Sequence, residues 1–138
     1  MNAYTFGELC IGQKVSFTAA VTEEAMDAFR AYTGDINPMH RDSAFAKAHG
    51  MPGPIAFGML VAGFYSTLAG VYLPGENCLL HKVDSQFLKP VFPGDVLTVS
   101  GEIVEKEDTF SYVVVKAVIT NQKGEKVSRA KIQAGVLA

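Results

Sequence analysis

From Met51 to Gly75 the chain carries no charged residue, and this stretch constrains the fold more than any other. A helix that is apolar all round has to be enclosed, by protein or by lipid. Pro52, Pro54 and Pro74 confine the helical part to Phe57–Leu73. A membrane span needs about 20 consecutive, mostly apolar residues, and Gly58, Gly63 and Gly70 dilute this run further. The reading is a buried central helix and no membrane segment. Two stripes run along it. Leu60, Phe64, Leu68 and Val71 are bulky; Ala62, Ser66, Ala69 and Gly70 are small. The bulky stripe suits a core, and the small one lets a backbone or a thin ligand come close.

Beyond Gly75 the pattern changes to period two. Cys78–Lys89, Val96–Lys106, Phe110–Asn121 and Lys126–Leu137 read as long strands. Turn residues separate them, among them Pro93-Gly94-Asp95 and Gln122-Lys123-Gly124. Ahead of the apolar run, Lys14–Val21 reads as a strand. Thr22 then caps a helix with Glu23 and Glu24 in its first turn, and Gly34 stops it. Asp42 or Ser43 starts a short helix that ends near Ala48. Successive strands with one all-apolar helix predict an α+β fold, a long central helix wrapped by a curled antiparallel β-sheet. No repeat or linker divides the chain, so residues 1–138 are expected to form a single domain. A chain of 138 residues buries about two-thirds of its surface, enough for a core without staples.

Hydrophobic residues make up 49 % of the chain, which excludes a disordered composition. Twelve Lys and Arg against 14 Asp and Glu give a net charge of −2, so no nucleic-acid partner is expected. Cys10 and Cys78 are too few for a disulfide framework and read as structural. The N-terminus has no basic region followed by an apolar one. Together these point to a cytoplasmic location.

The chemistry concentrates between Gly34 and His40, in Gly34-Asp35-Ile36-Asn37-Pro38-Met39-His40. The stretch from Asp35 to His40 spans at most about 17 Å, and the Asn-Pro turn shortens it. A carboxylate and an imidazole can therefore converge on one water and deprotonate it. Spacing alone leaves open the plainer reading, an Asx-turn aspartate and a polar loop histidine. A second element is Phe57-Gly58-Met59, where the first N–H groups of the buried helix lack intrahelical partners and Gly58 permits close approach. This combination suits an oxyanion hole, and Gly58 as a packing glycine stays open beside it. Asp35, His40, Asp42 and His49 include acceptable metal ligands but have no metal-site spacing, so no metal is expected. His81 reads as half-buried structure.

Taken together, these segments resemble one family. Tyr32-Thr33-Gly34-Asp35-Ile36-Asn37-Pro38-Met39-His40 resembles the hydratase-2 motif of the MaoC-like dehydratases. Gly53-Pro54-Ile55-Ala56-Phe57-Gly58-Met59-Leu60 resembles their second block, and Phe87-Leu88-Lys89-Pro90-Val91-Phe92-Pro93-Gly94-Asp95 their strand–turn segment.

The resemblance implies a hot-dog fold and (R)-specific enoyl-CoA hydratase activity, the reversible addition of water to a trans-2-enoyl thioester. It places the catalytic pair on Asp35 and His40, the oxyanion N–H on Gly58, and further substrate-side residues on Ser66, Asn37 and Phe57. Many members of the family carry His directly before the glycine, where this chain has Phe57. No metal or redox cofactor is implied; coenzyme A or an acyl-carrier arm is the handle of the acyl thioester substrate. The resemblance also implies a homodimer or a higher homo-oligomer. An acyl thioesterase of the same fold and a non-catalytic acyl-thioester-binding module are the alternatives.

Overall fold

The four period-two segments form strands in the computed structural model, which describes residues 1–138. In chain order the elements are β1 (Lys14–Ala20), α1 (Glu23–Thr33), α2 (Ser43–Ala48), α3 (Gly58–Thr67), β2 (Cys78–Phe87), β3 (Val96–Glu107), β4 (Tyr112–Thr120) and β5 (Lys126–Val136). Short 3₁₀ turns occupy Phe6–Glu8 and Pro38–His40. The strands make one antiparallel sheet in the order β1-β3-β4-β5-β2. Register shifts between Leu80 and Lys82 and between Ile103 and Glu105 are bulges that bend and twist the strands. The sheet packs its inner face on α3 and leaves β1 and β2 as its edges. This is the expected hot-dog arrangement, with the sheet open rather than closed into a barrel.

The inner face is read from alternation. Leu97, Val99 and Ile103 of β3, Val113, Val115 and Ile119 of β4, and Ile132 of β5 are all buried. Each such side chain contributes roughly 1.5–3 kcal/mol when fully enclosed. Gly101 interrupts the β3 row beneath Leu68, in the turn that continues α3. A β-carbon there would stand 2.8 Å from both Leu68 Cδ2 and Val115 Cγ1, so the helix sits this near only because the side chain is missing.

The central helix departs from its sequence reading in two ways. It is α-helical only to Thr67 and continues as a π-helical turn over Leu68–Tyr72. Its deepest face is Val61, Tyr65, Leu68 and Ala69, whereas Leu60 and Phe64 are only half-buried. The bulky stripe therefore lies about one position away from the true core face. Nor is the helix enclosed all round: Met59, Gly63 and Ser66 are exposed. The strand ends also move. β2 stops at Phe87 because Leu88 and Lys89 both donate to the Val127 carbonyl (2.8 and 3.3 Å) ahead of Pro90. Phe110 lies in the β3–β4 turn, its N–H held by Glu107 Oε2 at 2.6 Å.

Two residues read as structural are less buried than expected. His81 is exposed, its Nδ1 3.2 Å from Gln133 Nε2, because β2 is an edge strand with no layer over its outer side. Cys10 is exposed, whereas Cys78 is half-buried with its thiol pKa pushed up by that burial. No helix is long and apolar enough to cross a membrane.

Candidate active site

The segment between α1 and α3 is held by local hydrogen bonds that its own residue types supply. Thr22 caps α1 by accepting from the Ala25 N–H at 3.0 Å. Gly34 ends it in the left-handed conformation, φ 71°, with its N–H on the Arg30 carbonyl. Asp35 follows as an Asx turn, its Oδ1 accepting the Asn37 N–H at 3.1 Å. Asn37 caps the next turn, accepting the Met39 N–H at 2.9 Å. Pro38 opens that turn and His40 closes it. The plainer reading of Asp35 thus holds as far as it goes. One carboxylate oxygen orders the loop, and the exposed carboxylate keeps further lone pairs for other work.

His40 is half-buried and fixed from two directions. Its Nδ1 lies 2.9 Å from the Ile55 carbonyl. A carbonyl only accepts, so Nδ1 carries a proton, and in the neutral ring the lone pair is on Nε2. Its ring lies against that of Phe57, centroids 4.2 Å apart. Phe57 packs in turn on Phe29 at 4.7 Å, with the Arg30 guanidinium 6.0 Å from its centroid. Phe57 is 1 % exposed. It packs against the histidine and also contributes to the wall of the Asp35 cleft.

Phe57 is also the N-cap of α3, and its side chain supplies no capping bond. The Leu60 and Val61 N–H groups both donate to the Phe57 carbonyl, at 3.1 and 3.2 Å. The Gly58 and Met59 N–H groups have no acceptor within the protein. Two free donors at the positive end of a helix form a site where negative charge is stabilised.

Two clefts meet at this helix start. One, of about 540 Å³, is lined by Asp35, Thr33, Phe57, Gly58, Met59 and Phe87. The other, of about 280 Å³, is lined by His40, Ile55, Gly58, Val61 and Phe87, among others. Gly58 and Phe87 belong to both. Asp35 thus lines one cleft and His40 the other, with Gly58 common to both. Asn37 and Ser66 line neither cleft. Asn37 acts on the loop that carries His40, and Ser66 stands two turns along α3 on its open side. The largest concavity, about 700 Å³, lies on the outer face of the sheet among Lys14, Glu102, Lys116 and Arg129. Four cations, Lys126 included, face the single carboxylate of Glu102 there and no helix terminus lines it, so the chemistry is assigned to the α3 terminus.

Three participants escaped the sequence reading. The Ile55 carbonyl that sets the His40 tautomer is a backbone group without a side-chain signal. Phe87 was visible only as part of the strand–turn segment. The third is a buried chain in which the Tyr65 hydroxyl donates to Ser128 Oγ (2.7 Å), which donates to the Gln86 carbonyl (2.8 Å). Burial pushes the Tyr65 hydroxyl pKa up, outweighing the lowering by its bond to Ser128, so the group stays a neutral donor.

Comparison with known proteins gives a consistent picture. The MaoC like domain family matches residues 8–124. An (R)-specific enoyl-CoA hydratase of Aeromonas caviae is 37 % identical over 93 residues, covering 67 % of this chain and 69 % of the relative. The (R)-specific enoyl-CoA hydratase of Rhodospirillum rubrum is 32 % identical over 106 residues, 74 % of each chain. The unliganded R-hydratase PhaJ1 of Pseudomonas aeruginosa superposes with a TM-score of 0.90 at 31 % identity. That match covers 96 % of this chain and 85 % of the other.

Proposed function

The chain belongs to the MaoC-like domain family, and we propose that it is a hydro-lyase, an (R)-specific enoyl-CoA hydratase that adds water reversibly to trans-2-enoyl thioesters. The observation that carries this reading is the pair of free N–H groups at Gly58 and Met59, placed where the Asp35 and His40 clefts meet.

The reaction follows from that geometry. The thioester oxygen is held by the Gly58 N–H at the helix end. Water bound between Asp35 and His40 loses a proton to one of them, and its oxygen bonds to C3. The π pair of the C2–C3 bond moves toward C1, and charge gathers on the thioester oxygen as an enolate. The free donors and the helix dipole stabilise it as it forms. A proton returned to C2 from the acid–base pair restores the thioester carbonyl. With the Nδ1–H donating to the Ile55 carbonyl, Nε2 of the neutral ring is the His40 nitrogen that would take the proton. Phe57 and Asn37 act by holding His40 in place, and Ser66 extends the substrate path along α3. No metal ion or redox cofactor takes part in these steps.

The working form is proposed to be a homodimer. β2 is an edge strand whose Leu79, Leu80 and Val83 are 53 %, 41 % and 36 % exposed, and α3 leaves Met59 66 % exposed. Such an edge is normally paired or covered. A second copy joining at β2 would cover the exposed edge. The activity is tested by incubating the protein with trans-2-enoyl-CoA thioesters of increasing chain length. Loss of the conjugated absorbance without release of free thiol is the expected result. Thiol release with the double bond intact would identify a thioesterase instead.

A further inference from the structure

We infer that Tyr65 and Ser128 are positioning residues for the reaction: their hydrogen bond sets how far α3 lies along the sheet, and so where the free Gly58 and Met59 N–H groups stand. The inference rests on the hydratase reading above and deepens it by naming what holds the oxyanion donors in place.

Three observations carry it. The Tyr65 hydroxyl donates to Ser128 Oγ at 2.7 Å, and this is the one hydrogen bond that joins α3 to the sheet. The rest of the helix meets the strands through apolar side chains, and apolar contact has no direction of its own. Gly58 and Tyr65 lie close to two full turns apart, so they share one face of α3. That face stands on a single cross-strand pair. Phe87 and Ser128 are partners in the β2–β5 register; the Phe87 ring lies against Gly58, and Ser128 takes the Tyr65 hydroxyl. A long helical side chain leans toward the helix N-terminus, which is how a residue two turns on reaches the same pair.

The anchor itself is fixed in the sheet. Ser128 Oγ donates to the Gln86 carbonyl at 2.8 Å, and the next residue of β5, Val127, accepts from the Leu88 and Lys89 N–H groups. Ahead of α3, the Ala56 N–H donates to the Val91 carbonyl at 2.6 Å. The helix is therefore tied before its start and two turns along it, both times to the end of β2 or to what it is bonded to. Tyr65 and Ser128 are fully buried, and Ser128 is the one polar side chain among the buried residues that is not aromatic. Replacing both partners of a buried hydrogen bond by apolar groups of the same shape is nearly neutral for stability. What such a replacement loses is direction. The free donors act only where the enolate oxygen forms, and misplacement by about 1 Å can cost roughly 10²-fold in rate.

The test compares Tyr65→Phe, Ser128→Ala and the double variant, each assayed with crotonyl-CoA well below its unfolding midpoint. Butyryl-CoA, which lacks the reactive double bond, reports ground-state binding by calorimetry. Tyr65→Phe keeps the ring and is expected to lower kcat at least about fivefold, with a smaller change in butyryl-CoA affinity. The double variant has no stranded hydroxyl, so it is expected to unfold at a higher temperature than Ser128→Ala while its kcat stays as low. A smaller loss of kcat in Tyr65→Phe would overturn the inference. So would a loss of butyryl-CoA affinity as large as the loss of kcat, or a kcat that recovers with stability in the double variant, since either would leave the pair a role in binding or folding alone. If the wild type hydrates no enoyl-CoA, the hydratase reading itself fails and the positioning role falls with it.

Discussion

His40 has one nitrogen committed and one free, and the consequences of that asymmetry can be measured. Nδ1 is bound to the Ile55 carbonyl, which leaves Nε2 as the nitrogen for the proposed base. Replacing His40 with Ala removes this group and is expected to lower kcat about 10²–10⁴-fold. The stability cost is about 1–3 kcal/mol, from the lost hydrogen bond to Ile55 and the lost packing of the ring on Phe57. Asp35→Asn keeps an acceptor for the Asn37 N–H, so its melting temperature should stay near wild type while kcat falls by a similar factor. Both follow from steady-state rates and thermal unfolding of the same preparations. Gly58→Val tests the oxyanion donor. Its side chain meets the ring of Phe87, which can yield, so unfolding is expected to change little and kcat/KM to fall more than tenfold. A chiefly thermal defect with normal turnover would make Gly58 a packing residue. At this scale spacing alone left Asp35 and His40 with a plainer reading, and the family resemblance singled them out; the structure has each lining a cleft at Gly58. The Ile55 carbonyl and the ring of Phe87 did not stand out, because a backbone acceptor has no residue signature and a contact between Gly58 and Phe87 is not local in sequence.

Helix α3 shows what periodicity conveys and where it stops. An uncharged run predicted an enclosed central helix, and the sheet packs on it as expected. Periodicity did not identify which side is deepest, since every residue from Met59 to Phe64 other than Gly63 is apolar and the pattern is nearly flat. The core side is set by Tyr65, whose hydroxyl has to find a partner when buried and finds it in Ser128. Two substitutions separate the parts of that chain. Tyr65→Phe removes one donor, while Ser128 keeps its bond to the Gln86 carbonyl; the expected loss is about 1 kcal/mol. Ser128→Ala strands the buried Tyr65 hydroxyl and releases the Gln86 carbonyl, and is expected to cost more, about 1–3 kcal/mol for the buried group alone. Denaturant unfolding of the two variants gives the order directly. A larger loss for Tyr65→Phe would contradict it. Most strand ends were read one or two residues long, and β3 one short, for a similar reason: Leu88 and Phe110 are apolar, but their N–H groups go to Val127 and to the Glu107 side chain instead of continuing the ladders.

For the whole molecule, the sheet order is the feature that ties fold to assembly. Placing β2 beside β5 leaves β2 at the edge next to the open side of α3. Period two announced β2 as a strand, but an edge strand is recognised only once its neighbours are known, so the exposure of Leu79, Leu80 and Val83 was not legible beforehand. A dimer joined at this edge should show twice the chain mass in light scattering. Val83→Lys, which puts a charge on the free edge, should shift it toward monomer. A concentration-independent monomer for the wild type would contradict the proposed assembly. The central claim is that Asp35, His40 and the α3 terminus cooperate to add water at C3 of a thioester. Incubation with crotonyl-CoA followed by chiral analysis of the product tests it most directly. The account predicts (R)-3-hydroxybutyryl-CoA from the wild type and a rate at least a hundredfold lower from His40→Ala. Formation of the (S) product, or no water addition by the wild-type protein, would contradict it.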